Sequence, residues 1–289
     1  MKLFGLLFFA VISAFQLQAQ TKTTVYYMPP TEEIELIKNY NLALLRLGLE
    51  KTVETHGEFE IVVENNSGYA QRDALRFLKE KKELYAVPTM TDDIRERIFI
   101  PVRIPLYKGL FGIRMMIANK SAMQEINLIE NEDQLKSEIL TQGSEWPDTQ
   151  ILKANGFKIL EYVQKEDMIN AIVNKKAVGY PRSIAEIFEE IELNRDKPLS
   201  VFSSMYLYYP TAIYFFVQRT PAGKNLSERL ETGLNKAIED GSFDIVFNTY
   251  MGSMIEKADL KNKKMIRLSN PILPQQTPVK EKKYWFITN

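Results

Sequence analysis

The sequence predicts an α/β protein in which one α/β unit is interrupted midway by a second. β-formers and amphipathic helical stripes alternate from Thr23 onward, which implies parallel strands joined by crossover helices. The alternation begins afresh near Ile139, then gives way, after two β-rich runs around Pro210, to long helical stripes. At 289 residues the chain accommodates two domains of ordinary size, and 45% hydrophobic with 26% charged residues suits a soluble globular protein.

Composition narrows the function classes. Charges balance at 37 basic against 37 acidic residues, which leaves no electrostatic footprint for nucleic acid. Residues 1–19 read as a secretory signal: Lys2, an apolar run from Leu3 to Phe15, and a small residue, Ala19, at the expected cut. The sequence contains no cysteine, so lipid attachment through one, disulfides, thiolate ligands and a thiol nucleophile are excluded. The expectation is a monomer free in the periplasm. A histidine-based metal site or a Ser-His-Asp triad would rest on the single histidine, His56, which precedes Gly57 and reads as a surface residue near a helix C-cap. Neither a metal nor a cofactor is expected.

The elements are read in order. Thr23 to Met28 alternates as a strand and Pro29-Pro30 stops it. Leu42, Leu45 and Leu49 stripe a helix ending by Gly57; Phe59 to Val63 is a strand, and Asn65 to Gly68 a loop. A helix over Ala74 to Glu80 leads to a strand over Leu84 to Val87, a Pro-Thr turn and a helix start. Gly112 to Ala118 is the next strand. The second unit then reads as strands over 139–141, 157–160 and 177–180, with helices over 147–154 and 167–174. Ser183 with Glu186 forms a capping-box signature for the following helix. Val201 to Tyr209 and Ala212 to Gln218 are β-rich, and Leu226, Leu230, Leu234 and Ile238 stripe a long helix that Gly241 stops. Phe243, Val246, Phe247 and Tyr250 stripe another helix, and the proline-rich tail from Pro271 to Pro278 lies extended, with Tyr284-Trp285-Phe286 tacked down.

The stretch with most chemistry is Ala86-Val87-Pro88-Thr89-Met90-Thr91-Asp92-Asp93-Ile94-Arg95. Its strand end presents two threonines and a guanidinium where ligands of α/β proteins collect. As residues alone, it equally reads as an ordinary strand-to-helix turn with Arg95 solvated. A second such junction is Gln142-Gly143-Ser144-Glu145-Trp146-Pro147-Asp148-Thr149. There Pro147 is tolerated only in a first helical turn, so N–H groups near Ser144 are expected to point outward as an anion cradle.

With Tyr180-Pro181-Arg182, Gly241-Ser242-Phe243-Asp244 and Asn270-Pro271, these segments resemble the extracellular solute-binding proteins of family 3 over essentially the whole mature chain. The resemblance implies a two-lobed type II periplasmic binding fold, each lobe a central sheet flanked by helices, with a two-strand hinge. It places the hinge near Leu106 to Lys108 and Tyr214 to Val217, lobe I at 20–107 and 217–289, and lobe II at 108–216. It implies ligand contacts from Thr89, Thr91 and Arg95 on lobe I and from Gln142, Gly143 and Ser144 on lobe II. Tyr27, Trp146 and Tyr180 read as flat apolar walls for a ligand or equally as core, Gln71 is a further polar candidate, and Arg182 is a candidate from lobe II.

One departure bears on the ligand. Family members that bind amino acids place a carboxylate near the position of Arg182. A guanidinium there would repel an ammonium and favour an anionic or carboxylate-bearing solute. Two placements stay open for Arg182: facing the cleft, or paired with Glu186 or Glu189 on its own helix. The function implied is capture of a small solute for an ABC-type permease. The alternatives are a sensory module for a membrane receptor, or a dehydratase-like enzyme with Glu145 as its base.

Overall fold

The computed structural model describes residues 22–27, 29, 34–64 and 71–286; the expected signal over 1–19, the loop over 65–68 and the side chains of 71–73 lie outside what is described. Strand β1 (Thr23–Tyr27) is followed by α1 (Glu35–Glu50), α2 (Val53–His56), β2 (Phe59–Val63) and α3 (Gln71–Glu80). Then come β3 (Val87–Met90), α4 (Asp93–Ile98), β4 (Ile100–Pro101) and β5 (Ile113–Asn119). The inserted unit continues through α5 (Met123–Ile126), α6 (Glu132–Ser137), β6 (Ile139–Gly143), α7 (Pro147–Ala154), β7 (Lys158–Tyr162) and α8 (Lys165–Val173). It ends with β8 (Tyr180–Ser183), α9 (Ile187–Leu193) and β9 (Leu199–Tyr208), after which β10 (Ile213–Val217), α10 (Pro221–Glu239), α11 (Ser242–Ala258) and β11 (Lys264–Arg267) follow.

Lobe I is built on β1 and β2, which run parallel, a bridge from Tyr26 to Tyr85 just ahead of β3, and β10 lying antiparallel between β3 and β4. Lobe II is built on parallel β6 and β7, a bridge from Leu140 to Gly179 just ahead of β8, and β5 antiparallel between β8 and β9. Strand β5 is buried on both faces, Arg114 and Asn119 included, in keeping with its largely apolar sequence. Its alternate residues divide between two cores. Met115 and Ile117 join the cluster that runs from lobe I through the hinge to Ile172 of α8 and Ile187 of α9 in lobe II, while Met116 and Ala118 join one that lies on the other face with Leu140, Ile151 and Phe202.

Local chemistry sets the helices of lobe I. Thr220 caps α10 by accepting the Gly223 N–H at 3.1 Å, with Pro221 in the first turn. Along α10 the stripe Leu226, Leu230, Leu234 is buried, and α1 presses against it so closely that a Cβ on Gly233 would stand 1.8 Å from the Gly48 carbonyl oxygen. Gly241, at φ 81°, separates α10 from α11 as expected.

Four expectations change. The turn placed at Pro88-Thr89 is strand. Phe215, opposite Pro88, accepts the Val102 N–H at 2.8 Å on its other side, so no N–H is asked of the proline. The turn comes at Thr91-Asp92, and Asp92 caps α4 by accepting the Arg95 N–H at 2.7 Å. Secondly, β8 covers 180–183, and the capping box does not form. The Ser183 hydroxyl donates to Leu110 O at 3.1 Å, while Glu186 accepts from Arg182 Nη2 at 2.6 Å, an ion pair that takes up the carboxylate a capping box would use.

Thirdly, Tyr214 to Val217 lies within β10 of lobe I, and the second crossing between lobes is at Tyr209 to Ala212. Tyr209 donates its N–H to Gly112 O at 3.0 Å on the lobe II side, and Ala212 O accepts from Thr91 at 2.9 Å on the lobe I side. Fourthly, residues 217–289 do not all belong to lobe I. Strand β11 pairs parallel with β9 in lobe II, so the chain crosses between lobes again on either side of it. Four residues, two of them basic and exposed, are too short a run to show a strand period.

Candidate functional site

A cleft of about 710 Å³, counting space open to solvent, lies between the lobes. Lobe I lines it with Ile37 and Asn41 of α1, residues 88–90 of β3, and Ile213. Tyr107 and Phe111, on the first crossing, the segment that leads from β4 of lobe I to β5 of lobe II, form its floor, and lobe II contributes Arg114, Trp146, Pro147, Asp148, Lys165, Arg182 and Glu186. Tyr107 donates its hydroxyl to Asn41 Oδ1 at 2.8 Å, and its ring packs edge-on against Phe111 with centroids 4.6 Å apart.

The lobe II wall grows from three local features. Gly143, ending β6, lets the Trp146 indole lie flat on the backbone, because a Cβ there would be 2.5 Å from indole Cδ2. Pro147 then starts α7 and brings Asp148 into its first turn. On neighbouring β8, Arg182 places its guanidinium carbon 4.9 Å from the Trp146 ring centroid, and Tyr180 stacks against the same indole with centroids 6.4 Å apart.

Ion pairs knit this wall. Arg182 donates from Nε to Glu190 at 2.5 Å and from Nη2 to Glu186 at 2.6 Å. Lys165 Nζ stands 3.8 Å from Glu190. Arg114 donates from Nη2 to Asp148, which also accepts the Tyr209 hydroxyl. Three cations thus face three carboxylates. Burial works against the charge of Arg182, but Glu186 and Glu190 outweigh it and hold its pKa well above the ordinary value. Burial likewise opposes ionised Glu190, and Arg182 with Lys165 reverses that, lowering its pKa. For Arg114 burial is outweighed by Asp148, Tyr209 and Glu186, and its pKa is raised.

The expected site residues separate into groups. Thr89, Trp146 and Arg182 border the cleft. Arg182 is at the same time paired with Glu186, as one expectation had it, and with Glu190 rather than Glu189. Tyr180 is fully buried behind Trp146. Arg95, on α4, folds back onto β3, with Nη1 3.1 Å from Thr89 Oγ1 and 2.5 Å from Met90 O, and Nε 3.2 Å from Asp92. Burial lowers its pKa against the pull of Asp92 and of Asp148 across the cleft. Thr91 donates to Glu96 at 2.6 Å, and Tyr27 donates to Lys38 O at 3.1 Å beneath α1. Gln142 is buried and donates to Pro181 O at 3.3 Å. Ser144 is exposed, and its N–H, expected to form a cradle, donates to Tyr162 O at 2.9 Å because the β6–β7 ladder extends that far. Gln71 begins α3, its side chain being outside the description.

Sequence reasoning missed Arg114 and Lys165, and it named Asp148 only within the Gln142 to Thr149 junction and Glu186 only as a helix cap or partner of Arg182. A signal existed for Arg114, a lone charge near the start of the apolar run 113–118. None separated Lys165 from surface charge. Among the described residues no group of three or more His, Cys, Asp or Glu side chains could hold a metal ion, and no helix is long and apolar enough to cross a membrane.

No family model matches the chain, and no curated protein matches it in sequence. Its fold is matched by solved structures. The probable amino-acid ABC transporter extracellular-binding protein YtmK from Bacillus subtilis is 15% identical, with a TM-score of 0.58 over 80% of this chain and 98% of that one. An amino-acid ABC transporter substrate-binding protein from Streptococcus pneumoniae, bound to L-arginine, is 13% identical, with a TM-score of 0.54 over 80% of this chain and 94% of that one. The arginine-, lysine-, histidine-binding protein ArtJ from Geobacillus stearothermophilus is 14% identical, with a TM-score of 0.52 over 80% and 95%. The fold is therefore that of the two-lobed substrate-binding proteins.

Proposed function

We propose that this chain is a solute-binding protein that captures a small carboxylate-bearing solute between its lobes and presents it to an ABC-type permease. The observation that carries the reading is the cleft, lined by side chains of both lobes and floored by the first crossing between them. A solute in that position touches both lobes at once, and its extra affinity for the closed arrangement is what drives closure. The folds it resembles belong to proteins described as binding arginine, lysine or histidine, all of which carry a carboxylate. The compensated charge of the lobe II wall favours a solute with both accepting and donating groups over a bare anion.

The same reading makes the protein an exported, monomeric periplasmic component and a binder, not an enzyme. Glu145, the acid a dehydratase-like reaction would use, is exposed in the turn before Trp146 and is not among the residues bordering the cleft. The test is a thermal-melting screen of the mature chain against α-amino acids, hydroxy acids and dicarboxylates. A solute at a hundred times its Kd stabilises by about 2.7 kcal/mol, enough to raise the melting temperature by several degrees. The reading fails if no compound stabilises the protein, and steady turnover abolished by Glu145→Gln would replace it with the enzyme.

A further inference from the structure

We propose that Arg114, with Glu186 beside it, receives the carboxylate of the solute, the role that resemblance assigns to Arg95. This rests on the solute-binding reading above and names the residue and the ligand chemistry. A guanidinium carries five N–H groups, and a buried one left without acceptors is unfavourable unless a ligand supplies them.

Arg114 has a side chain only 2% exposed and borders the cleft immediately after the first crossing. Phe111 and Tyr209 each lie with ring centroids 5.9 Å from its guanidinium carbon, within cation–π range. Nη2 is on Asp148, while Nη1 is 3.8 Å from Glu186 Oε2, beyond hydrogen-bonding distance. Nε of Arg114 and Oε2 of Glu186 are both buried without hydrogen-bond partners. The two unsatisfied groups belong to facing side chains in one wall, one a donor and the other an acceptor. By contrast Arg95 spends Nη1 on Thr89 and Met90 and points Nε at Asp92, and Arg182 spends Nε and Nη2 on Glu190 and Glu186.

The ligand edge that completes this wall presents a carboxylate oxygen to Arg114 and a neighbouring N–H or O–H to Glu186. Three probes separate the requirements: succinate lacks the neighbouring donor, L-malate supplies a hydroxyl, and L-glutamate supplies an ammonium. Calorimetric titration of each into wild type, Arg114→Lys, Arg95→Gln and Glu186→Gln is the test. The expected result is that malate or glutamate binds wild type more tightly than succinate. Arg114→Lys, which keeps a charge opposite Asp148 but loses the planar fork, then weakens binding about tenfold or more. Arg95→Gln changes it by less than about threefold, as its bonds to Thr89 and Met90 predict, and Glu186→Gln removes the preference over succinate. If Arg114→Lys does not fold, the double variant Arg114→Gln with Asp148→Asn removes the buried pair together and carries the same expectation. Wild-type affinity in Arg114→Lys, or a larger loss in Arg95→Gln than in Arg114→Lys, overturns the assignment. So does failure of all three probes while the broad screen finds another solute, whereas an empty broad screen sinks the solute-binding reading itself.

Discussion

Phe286 donates its backbone N–H to Lys108 O at 2.7 Å, which ties the far end of the chain to the first crossing between the lobes. The tail reaches that point from lobe II. Leu268 donates to Tyr208 O at 2.7 Å and the Asn270 side chain donates to Pro210 O at 2.9 Å, beside the second crossing. Tyr284 then donates to Asn235 of α10 at 2.9 Å, and the Trp285 ring covers Gly109, leaving no room for a Cβ. The tail is therefore a strap over both crossings. Trp285→Ala removes a side chain only 8% exposed, at a cost of about 3 kcal/mol. A fall in melting temperature of roughly 6–10 °C is expected. Removal of residues 271–289 should in addition make the crossings sensitive to protease. An unchanged melting curve for both variants would show that the strap contributes nothing.

Trp146 reports on the cleft because the sequence has only two tryptophans, and the other, Trp285, sits in the strap. In a Trp285→Phe background, solute binding should shift or quench the remaining emission. Gly143→Ala should displace the indole, since the added carbon would meet it at 2.5 Å. Weaker binding and a red-shifted emission are expected with little change in far-ultraviolet circular dichroism. Identical emission in the two proteins would contradict the stacking.

Glu190 sets an acid limit on stability. Its folded pKa lies below the ordinary value of 4.5, because Arg182 and Lys165 outweigh burial. A carboxylate with a depressed folded pKa stabilises fully above its unfolded pKa, and that stabilisation is lost as pH falls through the folded value. Melting temperature should drop below about pH 4.5. Glu190→Gln should flatten that limb and lower stability at pH 7, where Arg182 loses a partner. A parallel acid limb in wild type and variant would assign the loss to other groups.

Gly233→Ala tests the closest helix contact in lobe I. The new carbon would stand 1.8 Å from Gly48 O, a backbone atom that moves only if α1 moves. A loss of about 3 kcal/mol or more is expected, measured by urea unfolding. Gly252, whose added carbon would meet nothing within 4 Å, is the control, and Gly252→Ala should be neutral or slightly stabilising.

Much of the fold was legible. Helix α7 was placed at its observed limits because Pro147 marks its first turn and Gly156 follows its end. The buried leucines of α10 were read from their spacing, and β5 from its apolar run. Strand ends were read less well. By sequence Pro88 reads as a stop, although its position asks for no N–H, and Glu186 reads as a cap, although Arg182 claims it. The site was legible where a residue pattern had a local cause, as for Trp146 after Gly143. It was not legible where the cause was a partner far along the chain, as for Arg114 and Asp148 with Tyr209.

By itself the sequence determined the α/β class, the interruption of one unit by another and most helices, since periodicity and turn chemistry act over a few residues. Tertiary structure alone decided which charges meet. It folded Arg95 back onto β3, brought Arg114, Asp148, Arg182 and Glu186 into one wall, and carried β11 across to lobe II. The physical reason is that a buried charge is governed by whichever opposite charge or carbonyl the fold brings within about 3 Å, and sequence spacing does not encode that distance.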